Sequence, residues 1–452
     1  MHVSRRRWRH PLAALVAAGV AGLALLVFAL VRDAEPKRQP PDGRAPFDVL
    51  YRPPTFVSKG RPTKLRYEIV CPLTEPPKPG FCRPGGTLHV RRAGEGEFDE
   101  IPLTTVRQSL ATVSVPAAYA AGSGFEYYVD LHDERGRSRT IPGGGAAAPQ
   151  RAWAIDRSTP VELGRHRFGR TRAGRVVVDA SWGAGPRSVG LRRGVGPSAF
   201  AVAPDGGIVV LDQVNRRLAV YRLGAPARPR HVPIRFLGGE GDVAVAADGT
   251  TYVLDSGAPK EHVAFLRSYT ARLSPLAETR VAEAPADRLA IGPDGAIVHA
   301  FPSEQWLPLG EGRHLLGREE QERGARPART FPDGRQVIVK ATPIEARFAL
   351  FDRKGVVGSW RITSTTRLGE VQLAEPYGRG VVVVVRVYTA RRAEWQVLEL
   401  SPEGTAGGFS VRPVEWAGAG PGARFRRAGR YLYQLRSGRS GIEIARYRLP
   451  KT

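Results

Sequence analysis

The chain has 452 residues, 42% of them hydrophobic, and a formal net charge of +25. This length predicts two or three domains, and this hydrophobic content excludes a chain that is disordered throughout. The 52 Gly and 38 Pro favour many short strands joined by turns.

Arginine dominates the basic residues, since 60 of the 68 are Arg and only 8 are Lys. An arginine excess spread over the whole chain favours codon bias in a GC-rich genome, and it leaves an acidic wall polymer or anionic lipid as the alternative explanation. No zinc-ligand spacing, basic heptad helix or aromatic–glycine RNA-binding signature occurs in the sequence. No nucleic-acid partner is therefore expected.

An uncharged run of twenty residues, Leu12–Val31, predicts a transmembrane helix near the start of the chain. A helix of that length spans about 30 Å, the thickness of the hydrocarbon core. Four arginines precede the run, and by the positive-inside tendency they keep residues 1–10 in the cytoplasm and the bulk of the chain outside it. The alternative is a cleaved signal peptide and a secreted protein, but the run is long for a signal core and no small-x-small site follows it. We therefore expect a single-pass protein of the cell membrane, with a transmembrane helix or uncleaved signal anchor at 11–31 and a Pro-rich tether at 32–46.

The region 47–155 predicts a β-sandwich, because apolar and polar residues alternate there as in half-buried antiparallel strands. The predicted strands are 64–70, 86–93, 110–117 and 125–133. The aromatic strand and the Asp-containing turn after it resemble bacterial immunoglobulin-like and fibronectin-like domains, through Tyr127, Tyr128, Asp133 and Gly136. The resemblance implies a spacer or a binding platform.

Both cysteines, Cys71 and Cys82, belong to this region and flank a segment with four prolines. Outside the cytoplasm we expect a structural disulfide between them, which contributes roughly 2–3 kcal/mol by loop-closure reasoning. A metal site is the alternative, but two cysteines without nearby histidines make a poor ligand set.

A linker is expected at 156–173, and an internal repeat fills the rest of the chain, 174–452. Each copy predicts a short strand, a glycine-containing turn and a second strand, which together form a hairpin. The marker glycines of the six copies are Gly206, Gly249, Gly295, Gly334, Gly380 and Gly429. Their spacing of 39 to 49 residues suits one four-stranded propeller blade per copy. Six copies predict six blades, with seven as the alternative, and segment 174–183 is expected to supply the outer strand of the last blade.

The first copy, "PDGGIVVLDQVNRRLAVYRL", resembles the NHL-type repeat, whose second strand ends in Asp and is followed by an Asn-x-Arg turn. Here Asp212, Asn215 and either Arg216 or Arg217 match that pattern, and we expect Asp212, Asn215 and Arg216 to hold the turn. The second copy keeps only Asp255 of this signature, and the later copies lose it. The fold class that follows is all-β: an immunoglobulin-like sandwich followed by a six-bladed β-propeller, plus one N-terminal transmembrane helix.

The sequence shows no catalytic, cofactor-binding or metal-binding pattern. It contains no G-x-S-x-G elbow, no H-E-x-x-H and no calcium loop. The histidines of the repeat region fall at different offsets, so a symmetric central cluster is not expected, and His132 with Asp133 predicts a polar turn rather than an acid–base pair. Three or more histidines or carboxylates converging on the channel would favour an enzyme, whereas an apolar channel lining would favour binding alone.

The sequence therefore predicts a membrane-anchored extracytoplasmic binding or scaffolding protein that uses one propeller face for protein or envelope-polymer contact. An extracytoplasmic hydrolase or lyase acting on a wall polymer or sugar is the alternative. The predicted face is formed by the loops that join the second and third strands of each blade, at 212–217, 255–263, 301–309, 341–348, 387–395 and 436–441. Aromatic and arginine side chains there are candidate contacts. The candidate residues are Arg217, Lys260, His262, Trp306, Tyr388, Arg391, Arg392, Trp395 and Arg439.

Overall fold

The computed structural model describes residues 47–450 apart from internal gaps at 52, 55, 71–83, 108, 134–135, 224–228, 238–239, 258–262, 301–304 and 418–423. The predicted transmembrane segment and tether, the disulfide and the candidates Lys260 and His262 lie outside the described residues. Among the residues that are described, no helix is long and apolar enough to cross a bilayer.

Ten strands form a sandwich in the first part of the described chain. In chain order they are β1 (Asp48–Tyr51), β2 (Phe56–Ser58), β3 (Thr63–Val70), β4 (Gly85–Arg92), β5 (Asp99–Pro102), β6 (Thr104–Arg107), β7 (Leu110–Val115), β8 (Gly124–His132), β9 (Ser138–Ile141) and β10 (Gln150–Ile155). One sheet has the order β1-β3-β7-β6 and the other β2-β10-β8-β4-β5, with β9 paired to β8. The four strands predicted from alternation are confirmed as β3, β4, β7 and β8.

The two sheets share one core of buried side chains, in which Leu65, Tyr67, Leu88, Phe125 and Tyr127 are at most 2% exposed. These residues occupy alternate positions of their strands, so each strand buries one face and leaves the other to solvent.

The remaining strands build a β-propeller from six sheets, counted over the described residues. Blade 1 contains β14 (Ala199–Val202), β15 (Ile208–Asp212), β16 (Arg217–Tyr221) and β17 (Arg230–Pro233). Blade 2 contains β18 (Gly241–Val245), β19 (Thr251–Asp255), β20 (Phe265–Tyr269) and β21 (Pro275–Arg280). Blade 3 contains β22 (Ala286–Gly292), β23 (Gly295–Ala300), β24 (Gln305–Glu311) and β25 (His314–Leu315), and a short helix α1 (Arg318–Gly324) follows it.

The other three blades follow in chain order, and blades 4 and 6 also contain strands that precede blade 1 in the sequence. Blade 4 contains β26 (Arg329–Thr330), β27 (Gln336–Ala341), β28 (Glu345–Asp352) and β29 (Gly355–Thr363), with β11 (Thr159–Glu162) added beside β29. Blade 5 contains β30 (Arg367–Tyr377), β31 (Gly380–Tyr388), β32 (Ala393–Ser401) and β33 (Gly404–Val411). Blade 6 contains β34 (Phe425–Ala428), β35 (Tyr431–Ser437) and β36 (Gly441–Arg448), completed by β12 (Arg175–Trp182) and β13 (Ser188–Val189).

The ring is closed by β12, which pairs antiparallel with β36, as predicted for segment 174–183. The last blade is therefore completed by a strand that precedes the first blade in the sequence. Main-chain hydrogen bonds hold the two ends of the repeat together. Segment 156–173, expected as a linker, contains β11, and Thr171 forms a parallel bridge with Ser410 of β33. This segment thus follows the outer edges of blades 4 and 5.

The predicted hairpins between first and second strands are confirmed in all six blades. Gly206 and Gly249 have φ of 84° and 87°, a left-handed conformation that favours glycine. In blade 5 the left-handed residue is Gly378 rather than the marker Gly380, because Tyr377 and Gly380 already pair across a two-residue turn.

Apolar seams between neighbouring blades form the propeller core. The continuous run Val381–Val385 is fully buried because its alternate side chains serve two seams. Val381, Val383 and Val385 pack toward blade 4, whereas Val382 and Val384 pack toward blade 6. A strand buried on both faces needs no alternation, which explains the pattern of the sequence.

The sandwich contacts blade 4 through β10. Trp153 stacks on Phe351 with ring centroids 4.8 Å apart, and Ile155 and Phe56 belong to the same apolar cluster. The Arg151 guanidinium also lies over the Trp153 ring, 3.6 Å from its centroid. The sandwich is therefore packed onto the propeller rather than joined by a free chain alone.

Candidate binding face and channel of the propeller

The opening copy of the repeat forms a hydrogen-bonded turn on the loop face, the face at which second and third strands join. Asp212, 0% exposed, accepts hydrogen bonds from the Gly190 and Asn215 backbone N–H groups at 2.9 and 3.4 Å. Its other oxygen accepts the Asn215 Nδ2 and the Arg217 Nε, both at 2.8 Å. The carboxylate therefore joins the blade 1 turn to the segment that enters from blade 6.

Arg217, and not Arg216, is the arginine of this turn. The Arg217 guanidinium also donates to the carbonyls of Ala184 and Ser188 at 3.1 and 2.8 Å. Arg216 is exposed, with φ of 51°, and it holds the turn through its backbone. Of the two arginines that the pattern left open, Arg217 supplies the side chain, because the strand pairing places it opposite Asp212, and Arg216 holds the turn through its N–H, which donates to the Gln213 carbonyl at 3.2 Å.

Blade 2 repeats the arrangement with different residues. Asp255 accepts Arg267 Nη1 at 2.7 Å and the Leu237 N–H at 2.8 Å. As in blade 1, the arginine comes from the third strand of the blade, and the N–H comes from the segment that precedes its first strand. The Asp at the end of the second strand is thus a structural anchor in the two blades that retain it.

The channel along the propeller axis is crossed by Arg426 of β34. Its Nη2 donates to Asp242 of β18, and its Nε donates to the Phe200 carbonyl of β14 at 3.0 Å. Nη1 lies 3.5 Å from the Leu289 carbonyl of β22. Asp242 is fully buried and also accepts the Leu289 N–H at 2.8 Å. One guanidinium from blade 6 thereby ties the inner strands of blades 1, 2 and 3.

A second cluster in the channel joins blades 4, 5 and 6. Glu375 of β30 binds Arg329 Nη1 of β26 and Arg427 Nε of β34, each at 3.1 Å. Burial, followed by the nearby positive charge of Arg426 and Arg288, lowers the pKa of Arg329, while Glu375 opposes that shift. The Arg329 Nε is buried and has no hydrogen-bond partner.

Blade 3 contributes a carboxylate–imidazole pair near the loop face. Asp287 Oδ1 lies 2.7 Å from His299 Nδ1, and the His299 ring lies 5.3 Å from Trp306. Arg288 of the same inner strand approaches Glu370 of blade 5 at 3.9 Å.

The channel shows neither of the two outcomes set out from the sequence, a convergence of three or more histidines or carboxylates and an apolar lining. Its inner strands carry Asp242, Glu370 and Glu375, so the lining is not apolar, but these carboxylates face arginines instead of converging on one point. In the described ranges, no group of three or more His, Cys, Asp or Glu side chains is arranged to hold a metal ion.

The described candidates of the loop face lie on four blades. Tyr388, Arg391 and Arg392 share the β31–β32 turn of blade 5, where both arginines are exposed. Arg439 is exposed on the β35–β36 turn of blade 6, and Trp306 is half-buried on blade 3.

Two candidates are engaged in the interior. Trp395 is 0% exposed in the seam between blades 5 and 6, where its Nε1 donates to Glu415 at 3.3 Å. Arg217 is held by Asp212, as described above. These two side chains support the face from below.

An exposed aromatic and basic surface lies on the loop face where blade 6 meets blade 1. Trp416 is 48% exposed, and its ring centroid lies 6.2 Å from that of Trp182. Trp182 is fixed by the hydrogen bond of its Nε1 to the Gly438 carbonyl at 3.0 Å. We call this surface the Trp–Arg patch, and its members are Trp182, Arg192, Arg193, Val195, Trp416 and Arg439.

The patch is basic because two of the three segments that form it contain no acidic residue. Segments 183–195 and 436–441 together contain five arginines and neither Asp nor Glu. Arg192 and Val195 pair across a turn that presents Arg193, and Val195 is 39% exposed. The nearby Glu415 is bound by Arg424.

Sequence reasoning missed the channel and most of the patch. The channel residues were readable, because each copy after the first carries a charged side chain in its inner strand, as at Asp242, Arg288 and Arg329. The patch had weaker signals: Trp182 belongs to the closing strand, and Trp416 follows β33 by five residues. Only the folded ring brings those two segments together.

Comparisons with known proteins give distant structural likeness alone. No family model and no curated protein matches the chain. It is similar to hydrazine synthase from Kuenenia stuttgartiensis, with 16% identity over 52% of this chain and 72% of that chain, at a TM-score of 0.32. It is similar to the PQQ-bound aldose sugar dehydrogenase from Streptomyces coelicolor, with 13% identity over 61% and 97%, at a TM-score of 0.36. It is also similar to virginiamycin B lyase from Staphylococcus aureus, with 10% identity over 58% and 87%, at a TM-score of 0.28. No activity follows from likeness at this level.

Proposed function

We propose that the chain is a membrane-anchored extracytoplasmic binding or scaffolding protein that contacts an acidic envelope polymer through the propeller's loop face. In this proposal residues 11–31 are the anchor, residues 47–155 form an immunoglobulin-like sandwich, and the six blades present the patch. The observation that carries the proposal is the Trp–Arg patch.

The patch has the composition of a binding surface. Trp416 offers a large, exposed aromatic face, and Arg192, Arg193 and Arg439 are exposed on loops that contain no carboxylate. Arginine and tryptophan are enriched among the residues that dominate binding energy. Guanidinium groups match carboxylate and phosphate geometry, which makes an acidic polymer the complementary partner.

The test measures binding of the full chain to two probes, alginate for carboxylates and poly(glycerol phosphate) for phosphates. The patch variant combines Arg192→Gln, Arg193→Gln, Arg439→Gln and Trp416→Ala. The control variant combines Arg353→Gln, Arg379→Gln and Arg430→Gln, three exposed arginines in turns of the opposite face. Both variants lose three positive charges, so net charge alone cannot separate them.

We expect the patch variant to lose about tenfold or more in affinity, which corresponds to roughly 1.4 kcal/mol, and the control to lose little. The probe that binds more tightly identifies the anionic group. Equal losses in the two variants, or no binding of either polymer by the unaltered chain, would contradict the proposal. Capture of a protein in place of both polymers would contradict the choice of partner.

The Asp287–His299 pair favours a second candidate, an extracytoplasmic hydrolase or lyase. A carboxylate that orients an imidazole is the arrangement of a general base. Shortening of either polymer probe by the unaltered chain, lost in His299→Asn, would support this candidate. Unchanged polymer length after prolonged incubation would exclude it for these substrates.

A further inference from the structure

A group of arginines lies at the end of blade 6, on the face of the propeller where first and second strands join. Strand pairing places Arg175 of β12 directly across from Arg446 of β36, and Arg448 directly across from Tyr431 of β35. Paired residues of neighbouring strands project to the same side of a sheet, as do residues two apart along one strand. We call this group the arginine cluster, and its members are Arg172, Arg175, Arg446 and Arg448.

The arginine cluster has no acidic partner. Within the described ranges, none of its four members forms an ion pair. Like charges directly across from each other destabilise a sheet, so the pairing of Arg175 with Arg446 is unfavourable in the protein alone. Elsewhere in the same sheet, Arg436 lies across from Glu443 and binds it. An oxyanion bound beside Arg175 and Arg446 would remove the repulsion that no carboxylate of the chain removes.

The surroundings of Tyr431 show the excess of positive charge. The Arg446 guanidinium lies over the Tyr431 ring, 4.5 Å from its centroid. A hydrogen bond from Arg430 first, and then the charges of Arg430, Arg446 and Arg448, lower the pKa of the Tyr431 hydroxyl. Nearby positive charge has this effect because it stabilises an ionised oxygen. Stacking on the ring leaves the N–H groups in the plane of the Arg446 guanidinium to donate.

A groove of about 500 Å³ opens beside the cluster, and Arg172, Arg446 and Arg448 line it. The other lining residues carry no charge, so every charged side chain of the groove is an arginine. Arg172 is held in place, because its Nη1 donates to the Arg448 carbonyl at 3.1 Å and its guanidinium lies 4.5 Å from the centroid of the Phe409 ring. Arg172, Arg175 and Arg448 are exposed, so a ligand can approach from solvent.

A phosphate monoester fits this arrangement better than a carboxylate does. It carries about −1.5 to −2 charges at neutral pH and three strong acceptor oxygens, whereas a carboxylate carries one charge and two oxygens. Several guanidinium groups beside one groove are best satisfied by the group with more charge and more acceptors. We propose that the arginine cluster is a binding site for a phosphate monoester, with Arg446 and Arg448 donating to its oxygens and Arg175 adding a third positive charge.

The test titrates the full-length patch variant with glycerol 3-phosphate at constant ionic strength, because that chain lacks the Trp–Arg patch. Glycerate is the carboxylate comparison, and short-chain phosphatidic acid presents the same phosphate group as a lipid headgroup. The site variant adds Arg175→Gln and Arg448→Gln, both at exposed positions. The matched control adds Arg353→Gln and Arg379→Gln, which remove two exposed arginines from turns of the same face.

We expect glycerol 3-phosphate to bind, with affinity reduced about tenfold or more in the site variant, because hydrogen bonds to a charged group are lost. The control should bind as its parent does, and glycerate should bind more weakly than glycerol 3-phosphate. The tighter of the two phosphates identifies the source of the group, a soluble ester or a lipid headgroup. Absence of binding by both phosphates, equal losses in the two variants, or preference for glycerate would overturn the assignment.

The melting temperature gives a second readout. Without ligand, Arg175→Gln should raise it slightly, because Arg446 loses a like-charged neighbour. With glycerol 3-phosphate, the same variant should gain less than its parent, because a ligand stabilises in proportion to its binding. A lower melting temperature without ligand would contradict the repulsion on which the site depends. Every chain in these measurements lacks the Trp–Arg patch, so failure of the polymer proposal leaves the result unaffected.

Discussion

The arginines of the channel and those of the Trp–Arg patch belong to one propeller, yet they differ in their partners. In the channel, Arg426 binds a buried carboxylate and carbonyls of three other blades. On the loop face, Arg193 and Arg439 are exposed. The amino-acid composition does not distinguish these arginines. In the folded protein, the first group binds other parts of the chain and the second is exposed to solvent, where a ligand can reach it.

This difference shows why the net charge of +25 says little by itself. A guanidinium with a buried carboxylate partner stabilises the fold and is not free for a ligand. An exposed guanidinium adds little to stability, because surface pairs are typically worth about 0–1 kcal/mol. Substitutions in the two groups should therefore have opposite consequences for stability and for binding.

The largest effect is expected from Arg426→Leu. Removing this side chain leaves Asp242 buried without its positive partner, and breaking a buried pair destabilises by about 3–5 kcal/mol. The midpoint of urea unfolding should fall sharply. Arg193→Leu, on the patch, should leave that midpoint nearly unchanged. Equal midpoints for the two variants would mean that the channel arginine is not structural.

A smaller loss of stability is expected from Arg217→Gln, at the turn of the opening repeat. Its Nε donates to the buried Asp212, and losing one hydrogen bond to a charged group removes roughly 1.5–3 kcal/mol. The neighbouring Arg216→Gln is the matched control, because Arg216 is exposed. Thermal unfolding should distinguish these two adjacent substitutions. A lower melting temperature for Arg216→Gln than for Arg217→Gln would reverse their assigned roles.

The same contrast exists between two glutamates of β32. Glu394 lies 2.8 Å from His166 and accepts the Gly169 N–H, whereas both oxygens of Glu399 are buried without a partner. Burial raises the pKa of Glu399 above its ordinary value of 4.5. Because the folded-state pKa exceeds the unfolded one, stability present in acid is lost as the pH rises through these values.

We therefore expect Glu399→Gln to stabilise the protein at pH 7, by about 1 kcal/mol, and to change little in acid. Glu394→Gln should destabilise at pH 7, because it weakens an existing pair. Melting temperatures at several pH values measure both effects. A uniform shift of Glu399→Gln across the pH range would show that the carboxylate does not titrate as described.

The sequence predicted the repeats well because each blade is local. A hairpin and its turn lie within some forty residues, and ring closure by β12 follows from the need to cover an open edge. The sequence left two adjacent arginines, Arg216 and Arg217, open for the side-chain role in the opening turn, because only the register of β15 and β16 decides which of them lies opposite Asp212. The patch and the pairing of the charged residues in the channel were not predictable in this way, since both join residues from different blades.

The most direct test of the proposed binding role is the salt dependence of polymer affinity in the unaltered chain and the patch variant. If Arg192, Arg193 and Arg439 contact the polymer, the slope of log affinity against log salt should be shallower in the variant by about one for each arginine removed. The control variant with three arginines removed from the opposite face should keep the original slope. A patch variant whose slope equals that of the unaltered chain would contradict the account.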